Sequence, residues 1–191
     1  EALLFTMITI CDEGDNILVP EPFYSNYFNF SKSVGVNINP ITTLAENGFH
    51  LPDKEEIISK INDKTKAILF SNPGNPTGVV YTKEELEMIA DIALEYNLWI
   101  IADEVYREFV YEGKYTSIGT IERVKDRVII IDSVSKRYSA CGARVGSLVS
   151  KNKSFMKGIL KLCQARLSVP TLEQLGAIEL YKTDNSYFKE V

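Results

Sequence analysis

Four short apolar runs in this sequence end in residues able to do chemistry. NILVP (residues 16–20) leads into EPFYSNY, and KAILF (66–70) leads into SNPGNPTG. LWIIA (98–102) leads into DEVYREFVY, and VIII (128–131) leads into DSVSKRYSACGARVG. Lys136 comes after the last run and lies close in sequence to Ser133 and Arg144. A lysine held beside other positive groups, or in a dry cleft, becomes a nucleophile that forms a Schiff base with a carbonyl. Asp103 comes after the third run, where a turn or a helix N-cap is its plain alternative. A buried carboxylate needs a cationic partner, and a protonated pyridine nitrogen is one.

A lysine imine and an aspartate paired with a pyridinium are the two protein groups that pyridoxal phosphate requires. Asp103 and Lys136 are 33 residues apart, the length of one strand–crossover–strand unit. Ser133 and Arg144 offer a hydroxyl and a guanidinium to a phosphate dianion, and Ser135 adds a further donor. The Asn75 amide and the Tyr106 hydroxyl suit the phenolic oxygen of the ring, and the Tyr24 ring suits its face. Singly, Tyr24 reads equally as core, Asn75 as a turn residue and Arg144 as a surface charge. Jointly, the four strand ends point to one cofactor.

Elements able to place these residues together are legible along the chain. Strand-like runs occupy residues 16–20, 36–43, 66–71, 98–102, 128–132 and 144–150, several of them apolar throughout. Such runs are typical of strands covered on both faces. Helical spacing is clearest over residues 83–96, where Thr82 and Glu85 form a capping box ahead of Leu86, Ile89, Ala90, Ala93 and Tyr96. Further helices are expected near the start of the chain, over 24–34 before Gly35, from about Asp53, over 151–168, and after Pro170. Strand and helix alternate, so the fold class is α/β with a mainly parallel, doubly wound sheet. Such sheets bind ligands at the carboxyl ends of their strands, which places Lys136 in a loop beside the cleft.

Composition removes other classes. The 191 residues carry a net charge of −5, with 45% apolar and 25% charged residues. These values suit an ordinary globular domain and argue against a nucleic-acid or anionic-membrane surface. No apolar run approaches the roughly 20 residues of a membrane span, and the first residues lack the basic region of a signal peptide. One histidine, His50, and three cysteines without a C-x-x-C leave zinc and Ser-His-Asp chemistry without support. No GxGxxG or GxxxxGK[ST] is present. Cys11, Cys141 and Cys163 are expected as reduced thiols in a cytoplasmic protein, each a small buried hydrophobe, and His50 as a surface loop residue.

SNPGNPTG, ADEVYREFVY and DSVSKRYSACGARVG together resemble the class I/II aminotransferases, fold type I enzymes dependent on pyridoxal phosphate. Ser133, Lys136 and Arg144 match the family's S-x-x-K lysine signature with its following arginine, and the whole stretch is most similar to bacterial aspartate aminotransferases. The resemblance implies a three-layer αβα large domain with a mostly parallel sheet. It implies that Lys136 forms the Schiff base, that Asp103 pairs with the pyridine nitrogen, and that Asn75 and Tyr106 bond the phenolic oxygen. Ser133, Ser135 and Arg144 then bind the phosphate, and Tyr24 replaces the family's stacking aromatic, often a tryptophan. The implied reaction moves an amino group from an amino acid, aspartate by resemblance, to a 2-oxo acid such as 2-oxoglutarate. The implied assembly is a homodimer acting on small molecules. A carbon–sulfur β-lyase and a non-catalytic effector-binding domain share the motifs. Residues 1–191 are then expected to be the cofactor-binding large domain. The resemblance implies that an N-terminal segment with a further phosphate-binding loop and a C-terminal small domain holding the substrate-carboxylate arginine are expected outside them.

Overall fold

The computed structural model describes residues 1–184 and 186–190. Six strands form one sheet: β1 (Asn16–Glu21), β2 (Asn37–Thr42), β3 (Thr65–Ser71), β4 (Trp99–Asp103), β5 (Val128–Ser133) and β6 (Gly146–Val149). Their order is β2-β1-β3-β4-β5-β6. The first five are parallel, and β6 runs antiparallel to β5, with Ser133 paired to Gly146. The α/β class and the mostly parallel sheet agree with the sequence reading, and the edge strand β6 is its one reversal.

Alternation along the strands builds two cores. Leu18, Ile68, Phe70, Ile100 and Ala102 point to one face. Helices α3 (Lys54–Ser59) and α4 (Lys83–Glu95) cover it with Ile57, Leu86, Ile89 and Ile92. Ile17, Val19, Ala67, Leu69, Ile101, Ile129 and Ile131 point to the other face. There α1 (Ala2–Ile10), α2 (Asn26–Ser33) and α6 (Lys153–Arg166) supply Leu3, Met7, Tyr27, Phe155 and Ile159. Successive residues of a strand face opposite sides, so a strand covered on both must be apolar throughout. A fully buried Leu or Ile contributes roughly 1.5–3 kcal/mol, so the sheet is rigid where the strands end.

Local signals act as the sequence implied. Thr82 Oγ1 accepts from Glu85 N at 3.2 Å and Glu85 Oε2 accepts from Thr82 N at 2.7 Å, closing the capping box. Glu85 also takes Leu51 N at 2.7 Å and meets His50 Nδ1 at 3.0 Å, which docks the exposed His50 loop on α4. Three expectations need correction. Helix α2 starts at Asn26 rather than Tyr24, because residues 22–25 form the turn out of β1. Lys136 is not in a loop: it lies on the one-turn helix α5 (Val134–Arg137), capped where Ser133 Oγ accepts from Ser135 N at 3.0 Å. The cysteines are not buried either. Cys141 and Cys163 are exposed because both line a large cavity, and Cys11 is half-buried. Helices α7 (Thr171–Leu180) and α8 (Tyr187–Glu190) complete the described chain.

Candidate active site

Strand order reverses between β1 and β3, and a crevice opens at the carboxyl ends there. A cavity of about 500 Å³ occupies this end of the sheet. Tyr24, Asn75, Asp103, Tyr106, Ser133, Ser135, Lys136 and Arg144 all line it. Every site residue expected from the sequence therefore reaches one space. The rigid strands set the starting points, and short turns set the rest.

Asp103 is the last residue of β4 and is 7% exposed. Its Oδ2 accepts from the Tyr27 hydroxyl at 2.7 Å, and its Oδ1 takes a long 3.4 Å bond from Val105 N. Neither partner carries a positive charge, and no cationic side chain among the described residues pairs with it. Burial pushes its carboxyl up to about 6, the Tyr27 and Val105 bonds oppose this, and the Asp132 charge adds to it. Burial, and after it the Asp103 charge, raises the Tyr27 hydroxyl well above its ordinary value of 10.0, so it remains a donor.

Tyr27 is the site residue that sequence reasoning missed. It sits in the cavity wall at 1% exposure, on α2, three residues after Tyr24. The EPFYSNY cluster is legible in the sequence, but it points to Tyr24 alone. The missing signal is that a fully buried tyrosine needs a partner for its hydroxyl, here the carboxylate. Tyr24 stands edge-on to Tyr27 with centroids 5.6 Å apart, and its hydroxyl accepts from Asn26 Nδ2 at 2.7 Å. Tyr24 is half-open to solvent, so its ring offers a free surface to the cavity.

Asn75 Nδ2 lies 3.4 Å from the Tyr106 hydroxyl, so the two polar groups converge from different strand ends. Gly74 lets the loop close. A Cβ there would stand 2.5 Å from Thr77 Oγ1 and 2.8 Å from Val79 Cγ1. Lys136 Nζ lies over the Tyr106 ring, 5.7 Å from its centroid. Ser133 Oγ donates to Ser135 Oγ at 2.8 Å, and Arg144 Nη1 donates to Cys141 O at 2.8 Å. Arg144 (φ 54) and Ser139 (φ 52) are held in the left-handed region, at roughly 1–2 kcal/mol each. Such strain persists where the surroundings fix the backbone. Arg166 also lines the cavity, where its Nε donates to Glu1 Oε1 at 2.7 Å.

The family described as aminotransferase class I and II matches residues 1–190. The chain is 37% identical over 193 residues to an aspartate aminotransferase of Bacillus sp. (strain YM-2), covering 99% of this chain and 49% of that protein. Among solved structures, alanine aminotransferase from Pyrococcus furiosus superposes with a TM-score of 0.91 at 38% identity, over 99% of this chain and 49% of that one. Aspartate aminotransferase from Thermotoga maritima gives 0.90 at 34% identity, over 97% and 49%. The chain thus spans about half the length of the relatives it matches.

Proposed function

The chain belongs to the class I and II aminotransferase family, and on that premise we propose that its protein transfers an amino group from an amino acid to a 2-oxo acid. The family's cofactor is pyridoxal phosphate. One observation carries the reading. Asp103 is a buried carboxylate that faces the cavity without a cation, 33 residues before a lysine in the same cavity. A protonated pyridine nitrogen supplies the missing charge, so the residues present fit the group.

When bound, pyridoxal phosphate supplies a sink for the electron pair left at the substrate Cα. Each residue then has a defined task. Asp103 would hold a proton at the pyridine nitrogen, with its carboxylate kept in place by the Tyr27 hydroxyl. Asn75 and Tyr106 would serve the phenolic oxygen, and Tyr24 would shield the ring from water. Ser133, Ser135 and Arg144 would hold the phosphate, the guanidinium as a fork. Lys136 would hold the cofactor through its amine, and that amine would act as general base and then general acid toward the substrate Cα proton.

Aspartate is the proposed donor and 2-oxoglutarate the proposed acceptor, on the strength of the aspartate aminotransferase relatives. The alanine aminotransferase among the structural neighbours makes alanine the competing donor to assay. We place the enzyme in the cytoplasm, where its three unpaired thiols stay reduced, and expect it to act as a homodimer. No helix among the described residues is long and apolar enough to cross a membrane. The test uses the full-length protein with added cofactor. Glutamate formation from aspartate or alanine plus 2-oxoglutarate is expected, and it should disappear in Lys136→Ala. Release of pyruvate and ammonia from cystathionine, without amino transfer, would overturn the assignment.

A further inference from the structure

Arg137 is a buried cation next to Lys136 that does not itself line the cavity. It is the next residue after Lys136 on α5, with its side chain 6% exposed. Nη2 lies 3.1 Å from Glu108 Oε1 and 3.6 Å from Asp132 Oδ2. The Tyr138 and Tyr181 rings flank the guanidinium, with centroids 5.8 and 6.0 Å from Cζ. Asp132 is also buried, at the end of β5, and Arg107 Nη2 meets the same Oδ2 at 3.0 Å. Asp132 Oδ1 accepts from Ser133 N at 2.8 Å.

Two cations and two carboxylates therefore join three places. These are the end of β5, the helical turn bearing Lys136, and the segment after β4 that bears Tyr106. Asp132 itself lines the cavity beside Asp103 and Lys136. Nε and Nη2 of Arg137 make no well-aligned hydrogen bond among the described residues, so charge and ring faces hold the guanidinium in place. Burial raises the Asp132 carboxyl above its ordinary value, and the Arg107 charge works against that rise. Removing one partner from such a buried group leaves a charge uncompensated and strongly destabilises the arrangement that holds it.

We propose that Arg137 is a positioning residue for Lys136. Through Asp132 and Glu108 it ties the lysine turn to the Tyr106 segment, and so fixes where the amine stands in the cavity. The proposal rests on the reading of Lys136 as the amine that binds the cofactor. A lysine displaced by about 1 Å loses on the order of 10²-fold in rate without losing its chemistry.

The experiment uses full-length protein bearing Arg137→Met, Arg137→Lys, Asp132→Asn, and the Asp132→Asn/Arg137→Met pair. Two readouts are needed: kcat and KM of the loaded enzyme, and the rate of Lys136 acylation by acetic anhydride in cofactor-free protein, followed by peptide mass spectrometry. Arg137→Met should lower kcat at least tenfold with the amino-donor KM within threefold, and should change the acylation rate at least threefold. Arg137→Lys, which keeps the charge, should recover most of both. The double variant should lose no more kcat than the worse single variant, because the two residues act as one unit. Unchanged acylation with kcat within twofold overturns the proposal, as do losses that multiply in the double variant. If Arg137→Met does not fold, Arg137→Lys and Glu108→Gln carry the same two readouts. If Lys136→Ala stays active, the cofactor-lysine reading fails, while acylation of the cofactor-free protein still decides whether Arg137 positions the lysine.

Discussion

Replacing Tyr27 by Phe removes a single hydroxyl whose effect is legible in pH. In the wild-type chain burial lifts Asp103 from 3.8 to about 6, roughly 2 pH units. At 1.36 kcal/mol per unit, keeping the ionised carboxylate buried costs about 3 kcal/mol. A raised carboxyl contributes stability that is fully present below 3.8 and lost as pH rises through about 6. The Tyr27 bond at 2.7 Å opposes that loss, because it favours the ionised form. A hydrogen bond to a charged group is worth about 1.5–3 kcal/mol, so Tyr27→Phe should raise Asp103 by a further 1–2 units or so. Phenylalanine fits the space of a residue that is 1% exposed, so packing changes little. Urea unfolding of the cofactor-free full-length protein should show a deficit below about 1 kcal/mol at pH 5 and about 2 kcal/mol or more at pH 8.5. In an Asp103→Asn background the difference between the two pH values should vanish. Equal deficits at pH 5 and pH 8.5, or a pH dependence that survives Asp103→Asn, would refute the pairing of these two side chains as the source of the shift.

The same geometry sets three further outcomes. Asp103→Asn should leave the fold intact, and even stabilise it near pH 8, while amino transfer falls by on the order of 10³-fold or more, measured by glutamate formation. Gly74→Ala should displace Asn75, since the new Cβ meets Thr77 and Val79, and cofactor affinity measured by fluorescence titration should fall about tenfold while the unfolding midpoint moves little. Thr82→Ala should cost about 1 kcal/mol in thermal or urea unfolding through loss of the α4 cap, with kcat unchanged because the cap lies outside the cavity.

The sheet and most of the chemistry are written in the order of residue types along the chain. Apolar runs such as KAILF and VIII suit strands buried on both faces, and the residues just after a parallel strand stand at its carboxyl end. Lys136, Asp103, Asn75, Tyr106, Ser133, Ser135, Arg144 and Tyr24 are legible for that reason. So is the Thr82–Glu85 box, which depends on neighbours along the chain. Folding settles whatever depends on groups distant in sequence. The Tyr27 hydroxyl reaches Asp103 across 76 residues, and no local spacing encodes that bond. Arg137 is buried because Glu108, Asp132 and Tyr181 converge on it from three other segments. Cys141 and Cys163 are exposed because packing left a cavity between α1, α6 and the strand ends. Periodicity and turn chemistry act over a few residues, so the sequence carries them. Desolvation and ion pairing depend on which segments meet, and only the packed chain fixes that.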